Sequence, residues 1–212
     1  MNKYTIVFQG DSVTDAGRDF SVKMPNTLLG NGYVALLAAQ LLAQFPSKNI
    51  EVYNRGVGGN RVVDLYARWK IDALNLKPDL LSILIGINDI WHELDCGNGV
   101  EAPRFLRIYR ELITWTREVL PETKIVLIEP FAALSDIVTV EWLDDLKQRQ
   151  QMVKELSDEF NTMLVSAKWL DDAEQEAPGS YWFVDGIHPS YAGHQRLANA
   201  WRKATSDVIA SI

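Results

Sequence analysis

Short apolar runs alternate along the whole chain with longer stretches whose apolar positions recur every three or four residues. That alternation predicts βα units around a parallel sheet. The predicted strands are 4–8, 50–54, 80–85, 125–128 and 163–165, each short and mostly apolar, as strands covered on both faces are. Between them Tyr33, Leu36, Leu37 and Leu41 share one helical face, as do Phe105, Tyr109, Leu112 and Thr116. Further on, Leu143, Leu146, Val153, Leu156 and Phe160 form another such stripe. A last helix follows Ser190, a suitable N-cap, and carries Leu197, Ala198, Trp201, Ala204 and Val208 on its inner face. No repeat, low-complexity tract or linker-like shift interrupts this pattern, and Pro178-Gly179-Ser180 is too short to separate domains. Residues 1–212 are therefore read as one α/β domain.

Composition narrows the picture. With 47% hydrophobic and 23% charged residues over 212 positions, the chain can bury an adequate core without disulfides or metal staples. The single Cys96 is no disulfide framework and fits a reducing compartment. The apolar run after Met1-Asn2-Lys3 stops at Gln9 and Gly10, too short for a signal-peptide core or a membrane span, so a cytoplasmic protein without a membrane partner is expected. A formal charge of −7 argues against nucleic acid and suits a neutral small molecule. Three His and one Cys show none of the usual zinc-ligand spacings, and no metal is expected. Seven Trp permit a buried subunit contact, so a homo-oligomer is compatible with the composition.

Ligands of open parallel sheets bind beyond the carboxyl ends of the strands. The predicted strands lead there into Gly10-Asp11-Ser12-Val13-Thr14-Asp15, Asn54-Arg55-Gly56-Val57-Gly58-Gly59-Asn60 and Gly86-Ile87-Asn88-Asp89, with Asp185-Gly186-Ile187-His188-Pro189 near the end. A nucleophilic Ser needs a base within hydrogen-bond reach and a third group orienting that base. Ser12, His188 and Asp185 supply the three, because a carboxylate three positions before the His can fold back to Nδ1 and leave Nε2 for the hydroxyl. Acyl transfer also needs donors for the developing oxyanion. The N–H of Ser12, the N–H of Gly59 and the amide of Asn88 are the candidates. Taken singly, Ser12 also reads as a helix cap, Asn88 as an Asx-turn and Gly59 as a positive-φ turn. The run Gly56-Val57-Gly58-Gly59 begins like a dinucleotide loop, but the third Gly of that motif would fall at Arg61. Neither a phosphate-binding G-K-[ST] ending nor a G-x-S-x-G elbow occurs.

These ordered blocks, Ser12, Gly59, Asn88 within G-x-N-D, and Asp185 with His188, resemble the SGNH or GDSL-type hydrolases over most of the chain. The stretches 10–18, 54–65, 86–91 and 185–194 are most similar to the acetylxylan esterase branch of the serine carbohydrate esterases. Val13 stands where many members carry Leu or Ile. The resemblance implies a flavodoxin-like three-layer α/β/α sandwich with a central five-stranded parallel sheet. It also implies a Ser12 nucleophile, an Asp185-supported His188, an oxyanion hole of Ser12, Gly59 and Asn88, and no cofactor. The expected substrate is a small acyl ester, an acetylated sugar such as an acetylated xylo-oligosaccharide. Trp91, Trp182 and Tyr191 are candidate rings for stacking on sugar, and Asp15, Arg18 and Arg61 are candidate polyol partners; each also has a structural reading as core, contact or loop residue. His92 and His194 are read as structural. The rivals are a lysophospholipase or thioesterase on longer chains, which the lack of a long apolar lid disfavours, and a carbohydrate-binding domain without turnover.

Overall fold

Ile6 and Phe8 face one buried cluster, while Val7 between them faces another. The same division repeats at Leu80 and Leu84 against Leu81 and Ile83, and at Val126 and Ile128 against Ile125 and Leu127. Period-two alternation between two cores, with apolar residues on both sides, explains why these strands read as continuous apolar runs. The computed structural model describes residues 3–212; Met1 and Asn2, the first positions of the start read above, lie outside it.

Strand β1 (Lys3–Gly10) leads to a single turn, α1 (Ser12–Asp15), and then α2 (Tyr33–Gln44). Strand β2 (Asn49–Gly56) leads to α3 (Val62–Asp72), and β3 (Leu80–Leu84) to α4 (Ile87–Cys96) and α5 (Ala102–Val119). After β4 (Lys124–Ile128) comes α6 (Leu143–Phe160). Strand β5 (Met163–Val165) is followed by α7 (Lys168–Glu174), α8 (Gly179–Trp182), α9 (Tyr191–Ala204) and α10 (Ser206–Ala210). All pairings are parallel, in the order β2-β1-β3-β4-β5, which is the flavodoxin-like arrangement. Helices α2 and α9 cover one face of the sheet and α3, α5 and α6 the other.

The helical stripes bury as their spacing requires. Tyr33, Leu37 and Leu41 are inaccessible, as are Phe105, Tyr109, Leu112 and Thr116, whereas Leu36 is only half-buried. Trp201 packs on Phe8 at 5.5 Å between ring centroids, and its Nε1 donates to Ser82 Oγ at 3.0 Å, satisfying the one hydroxyl within β3. Truncating a buried ring of this kind costs about 3–5 kcal/mol. Ser190 caps α9 by accepting the Gly193 N–H.

Strand order reverses at β1, whose sequence neighbour β2 lies on one side and β3 on the other. The crevice above the carboxyl ends of β1 and β3 is thus the topological switch point, and the Ser12 and Asn88 segments both emerge there. Strand β1 runs two residues past its predicted end, and Gly10 pairs with Gly56 on one side and Leu84 on the other. A Cβ at Gly10 would stand 2.5 Å from the Leu84 carbonyl oxygen, so only Gly fits between the two strands. Strand β3 stops one residue earlier than predicted because the chain turns at Gly86, where φ is +133°.

Candidate active site

The first strand ends at a one-turn helix whose cap is the acidic neighbour of Ser12. Asp11 Oδ1 accepts the Val13 N–H at 3.0 Å, and Ala16 closes the turn in the left-handed region. This sharp exit presents the Ser12 hydroxyl to the crevice, where Oγ lies 2.8 Å from His188 Nε2. On the far side of the ring, His188 Nδ1 lies 2.6 Å from Asp185 Oδ2. Asp185 Oδ1 also accepts the backbone N–H groups of Ile187 at 2.9 Å and His188 at 2.8 Å. Partial burial of Asp185 favours its neutral form, but the N–H of His188, its ring and the N–H of Ile187 outweigh that and hold the carboxyl below its ordinary range. An ionised Asp185 keeps the imidazole proton on Nδ1, which leaves the Nε2 lone pair facing Ser12; the proton's place is inferred from this network.

The loop carrying Asp185 and His188 is itself clamped. Gly186 has φ +92°, and an added Cβ there would collide with Ser135 and stand 2.5 Å from the Ala133 carbonyl oxygen. Ser135 Oγ donates to the Asp185 carbonyl at 2.7 Å, and the Ala133 N–H donates to the Gly186 carbonyl at 2.8 Å. The segment after β4 thus sets the height of the carboxylate above the sheet.

Three donors border the hydroxyl. Among the described residues, the backbone N–H groups of Ser12 and Gly59 donate to no protein acceptor. Buried or half-buried donors left unpaired are uncommon and fit a developing negative charge. Gly59 has φ +76°, and a Cβ at the adjacent Gly58 would stand 3.9 Å from that of Ser12, so this turn passes directly beside the nucleophile candidate. Asn88 lies in the first turn of α4 rather than in a loop, and its Nδ2 donates to the Asn60 carbonyl at 3.1 Å. Among the described residues no backbone N–H donates to Asn88 Oδ1, so the Asx-turn reading does not hold. The bond to Asn60 leaves the second amide hydrogen unassigned. Asp89, one residue on, accepts the Val62 N–H with both oxygens, at 3.1 and 3.2 Å, locking α4 to the start of α3.

The peripheral candidates divide between their two sequence readings. Trp182 is a correction: it is buried in the core, with Nε1 donating to the carbonyls of Ala173 and Ala177, because the short helix α8 turns its ring inward. Asp15 accepts the N–H groups of Arg18 and Gly58. The Arg18 guanidinium donates from Nε to the Gly56 carbonyl at 2.7 Å and covers the Phe20 ring. Arg61 pairs with Asp64 and donates to Asn98. These three side chains brace the loops around the site. Trp91 is half-buried, 6.3 Å between ring centroids from His188 and 5.9 Å from the buried Trp142. Tyr191 is 80% exposed at the start of α9. His194 is structural, as read: its Nδ1 accepts the Tyr33 N–H, and burial, aided by the charge of His188, lowers it to about 4.

Sequence reasoning passed over Asp11. It is fully buried, and burial pushes its carboxyl up to about 7 against the pull of the Val13 N–H and the charge of His188. A carboxyl raised in the folded state contributes no penalty below the ordinary carboxylate range, about 4, and stability is lost as pH climbs from there toward about 7. Asp11→Asn keeps an acceptor for Val13 but cannot ionise. Its melting temperature is expected to fall less steeply between those limits than that of the parent, and an unchanged slope contradicts the assignment. The flattening is partial, because burial raises Asp89 to about 7 as well, despite the charge of Arg149 and the Val62 N–H.

Comparison with known proteins fits this geometry. The model of the GDSL-like lipase/acylhydrolase family matches residues 8–196. The chain belongs to that family. It is 35% identical over 204 residues to an acetylxylan esterase from Geobacillus stearothermophilus, covering 92% of this chain and 91% of that protein. The fold superposes on a GDSL-like lipase structure from Parabacteroides merdae with a TM-score of 0.91 at 41% identity, covering 96% of this chain and 95% of that one. Structures of the Geobacillus enzyme give a TM-score of 0.86 at 31% identity, over 95% of this chain and 93% of that one. They include forms described as catalytic mutants, in which a serine, an aspartate or a histidine is replaced by alanine, and that aspartate precedes that histidine by three positions. The GDSL-type protein is thus a carboxylic ester hydrolase on the SGNH fold. Among the described residues, no helix is long and apolar enough to cross a membrane, and no three His, Cys, Asp or Glu side chains converge to hold a metal ion.

Proposed function

We propose that this hydrolase removes acetyl groups from carbohydrate esters, acetylated xylo-oligosaccharides in particular, through an acyl-enzyme on Ser12. The observation that carries the mechanism is the continuous chain of short hydrogen bonds from Ser12 Oγ through the His188 ring to Asp185, 2.8 and 2.6 Å long. His188 Nε2 takes the proton as Ser12 Oγ attacks the ester carbon, and the N–H groups of Ser12 and Gly59 with the Asn88 amide receive the oxyanion. Collapse breaks the bond to the sugar oxygen, which leaves with the proton from His188. Water then adds to the acetyl-enzyme, giving its proton to His188. As acetate departs, that proton returns to Ser12.

The acetyl-sugar assignment draws on the 35% identical relative, an acetylxylan esterase, and on the half-buried Trp91 beside His188, a ring suited to lie against a sugar face. Tyr191 stands free to serve the same purpose at the rim. The reading includes a cytoplasmic setting, where the exposed thiol of Cys96 stays reduced. Acetate release from a panel of acetylated xylo-oligosaccharides and acetylated hexoses tests the substrate class. Faster turnover of the xylo-oligosaccharides is expected, and no release from any acetylated sugar contradicts it.

One observation favours longer acyl chains. A groove of about 400 Å³ touches Asp185 and is bordered by the exposed Leu134, Ile137 and Val184. Turnover of acetyl, butyryl and octanoyl aryl esters separates the readings. The acetyl reading expects kcat/KM to fall steadily with chain length, whereas a maximum at octanoyl favours the longer-chain reading.

A further inference from the structure

The side chain with the most hydrogen bonds near the site has no place in the chemistry described so far. Arg68 sits in the middle of α3, only 16% exposed, and all three guanidinium nitrogens donate hydrogen bonds. Nε donates to Asn60 Oδ1 at 2.7 Å. Nη1 donates to Gln9 Oε1 at 2.9 Å, the Arg55 carbonyl at 2.8 Å and the Asp72 carboxylate at 3.1 Å, and Nη2 donates to the Gly10 carbonyl at 3.1 Å. Gln9 Nε2 in turn donates to the Asp72 carbonyl at 2.7 Å, closing the network.

Apart from Asp72, at the end of α3 itself, its acceptors belong to the ends of β1 and β2 and to the turn carrying Gly59. Asn60 is the informative one. Its side chain is held by Arg68, and its own carbonyl accepts the Asn88 amide at 3.1 Å. One rigid fork therefore fixes the residue that follows Gly59 and, through its carbonyl, aims the Asn88 side chain. A Lys in place of Arg68 would present a point charge unable to meet this many acceptors in one plane.

Resting on the oxyanion-hole reading above, we propose that Arg68 is a positioning residue for ester hydrolysis, acting through Asn60 to orient the Asn88 amide toward the developing oxyanion. Preorganised donors stabilise a transition state only if they are already aimed at the oxygen, so a loosened amide lowers kcat more than it weakens ground-state binding.

The test is a set of variants assayed with an aryl acetate alongside thermal denaturation. Asn88→Ala is expected to lower kcat about 100- to 1,000-fold, as loss of one oxyanion donor does. Arg68→Ala and Asn60→Ala are each expected to lower kcat about 10- to 100-fold, part of that loss, with KM within about threefold. Asn60→Asp, which retains an acceptor for Arg68, should recover most of the kcat lost in Asn60→Ala. In the Arg68→Ala/Asn88→Ala double variant the loss should equal that of Asn88→Ala alone, because both changes act on the same donor. Multiplied losses in the double variant, or a lowered melting temperature with kcat unchanged in Arg68→Ala, overturn the relay. If Arg68→Ala does not fold, the Asn60→Ala/Asn88→Ala cycle decides in the same way. Near-parental activity of Asn88→Ala instead overturns the oxyanion assignment itself, whereas a crippled Asn88→Ala with unaffected Asn60 and Arg68 variants removes only the relay.

Discussion

Ser12→Ala is expected to lower turnover of an aryl acetate about a million-fold while leaving the melting temperature within a few degrees of the parent. The size follows from losing the atom that forms the covalent bond; the donors that remain can still polarise a carbonyl, which sets the residual rate above that of water. The fold should survive because the Ser12 side chain makes one hydrogen bond, to His188, and carries no structural cap. The cap belongs to Asp11, whose bond to the Val13 N–H is untouched by the substitution. Steady-state kinetics and a thermal melt on the purified variant check both halves. Activity within tenfold of the parent contradicts the nucleophile assignment.

The second large effect is expected at Asp185. In Asp185→Asn the amide oxygen can still accept the N–H groups of Ile187 and His188, the bonds that Oδ1 makes at 2.9 and 2.8 Å. The amide nitrogen is then left facing His188 Nδ1, where the carboxylate stood at 2.6 Å. A donor there forces Nδ1 to become the acceptor and moves the ring proton to Nε2, pointing at Ser12, so the base is blocked although the loop keeps its shape. A kcat about 10,000-fold lower is expected, with KM little changed. A loss under tenfold contradicts the role given to the carboxylate. The retained fold distinguishes this variant from changes at Gly186, where any Cβ meets the segment after β4.

The frame and the candidate catalytic groups are legible in the sequence for different reasons. Strands such as Leu80–Leu84 are readable because residues buried on both faces must be apolar, but their ends shift by one or two residues: β1 and β2 run on through Gly10 and Gly56, β3 stops before Gly86, and the exposed polar Lys3, Asn49 and Lys124 join the pairing at the other end. Helices α3 and α4 were passed over: their segments carry the Gly59 and Asn88 motifs, which drew attention to loops, yet Asn88 and Asp89 occupy the first turn of α4. Ser12 and the Asp185–His188 pair could be related because residue type and spacing state a chemical requirement. No local signal placed Trp182 in the core; its inward turn depends on carbonyls of Ala173 and Ala177 that α7 and α8 bring together only after folding. Asn60 and Arg68 were equally silent, since nothing in one chain's spacing says that an arginine in α3 will reach the ends of two strands. Asp11 was within reach: an acidic residue directly before a short turn is an ordinary N-cap signal.

In the proposed mechanism Ser12, activated by His188, attacks the ester carbon. Incubation with a serine-reactive aryl phosphonate, followed by peptide mass spectrometry, tests it most directly. One phosphonyl group on Ser12 is predicted, appearing in step with loss of esterase activity and formed far more slowly in His188→Ala. Full inactivation with the label on another residue, or undiminished labelling of Ser12 without His188, would contradict it.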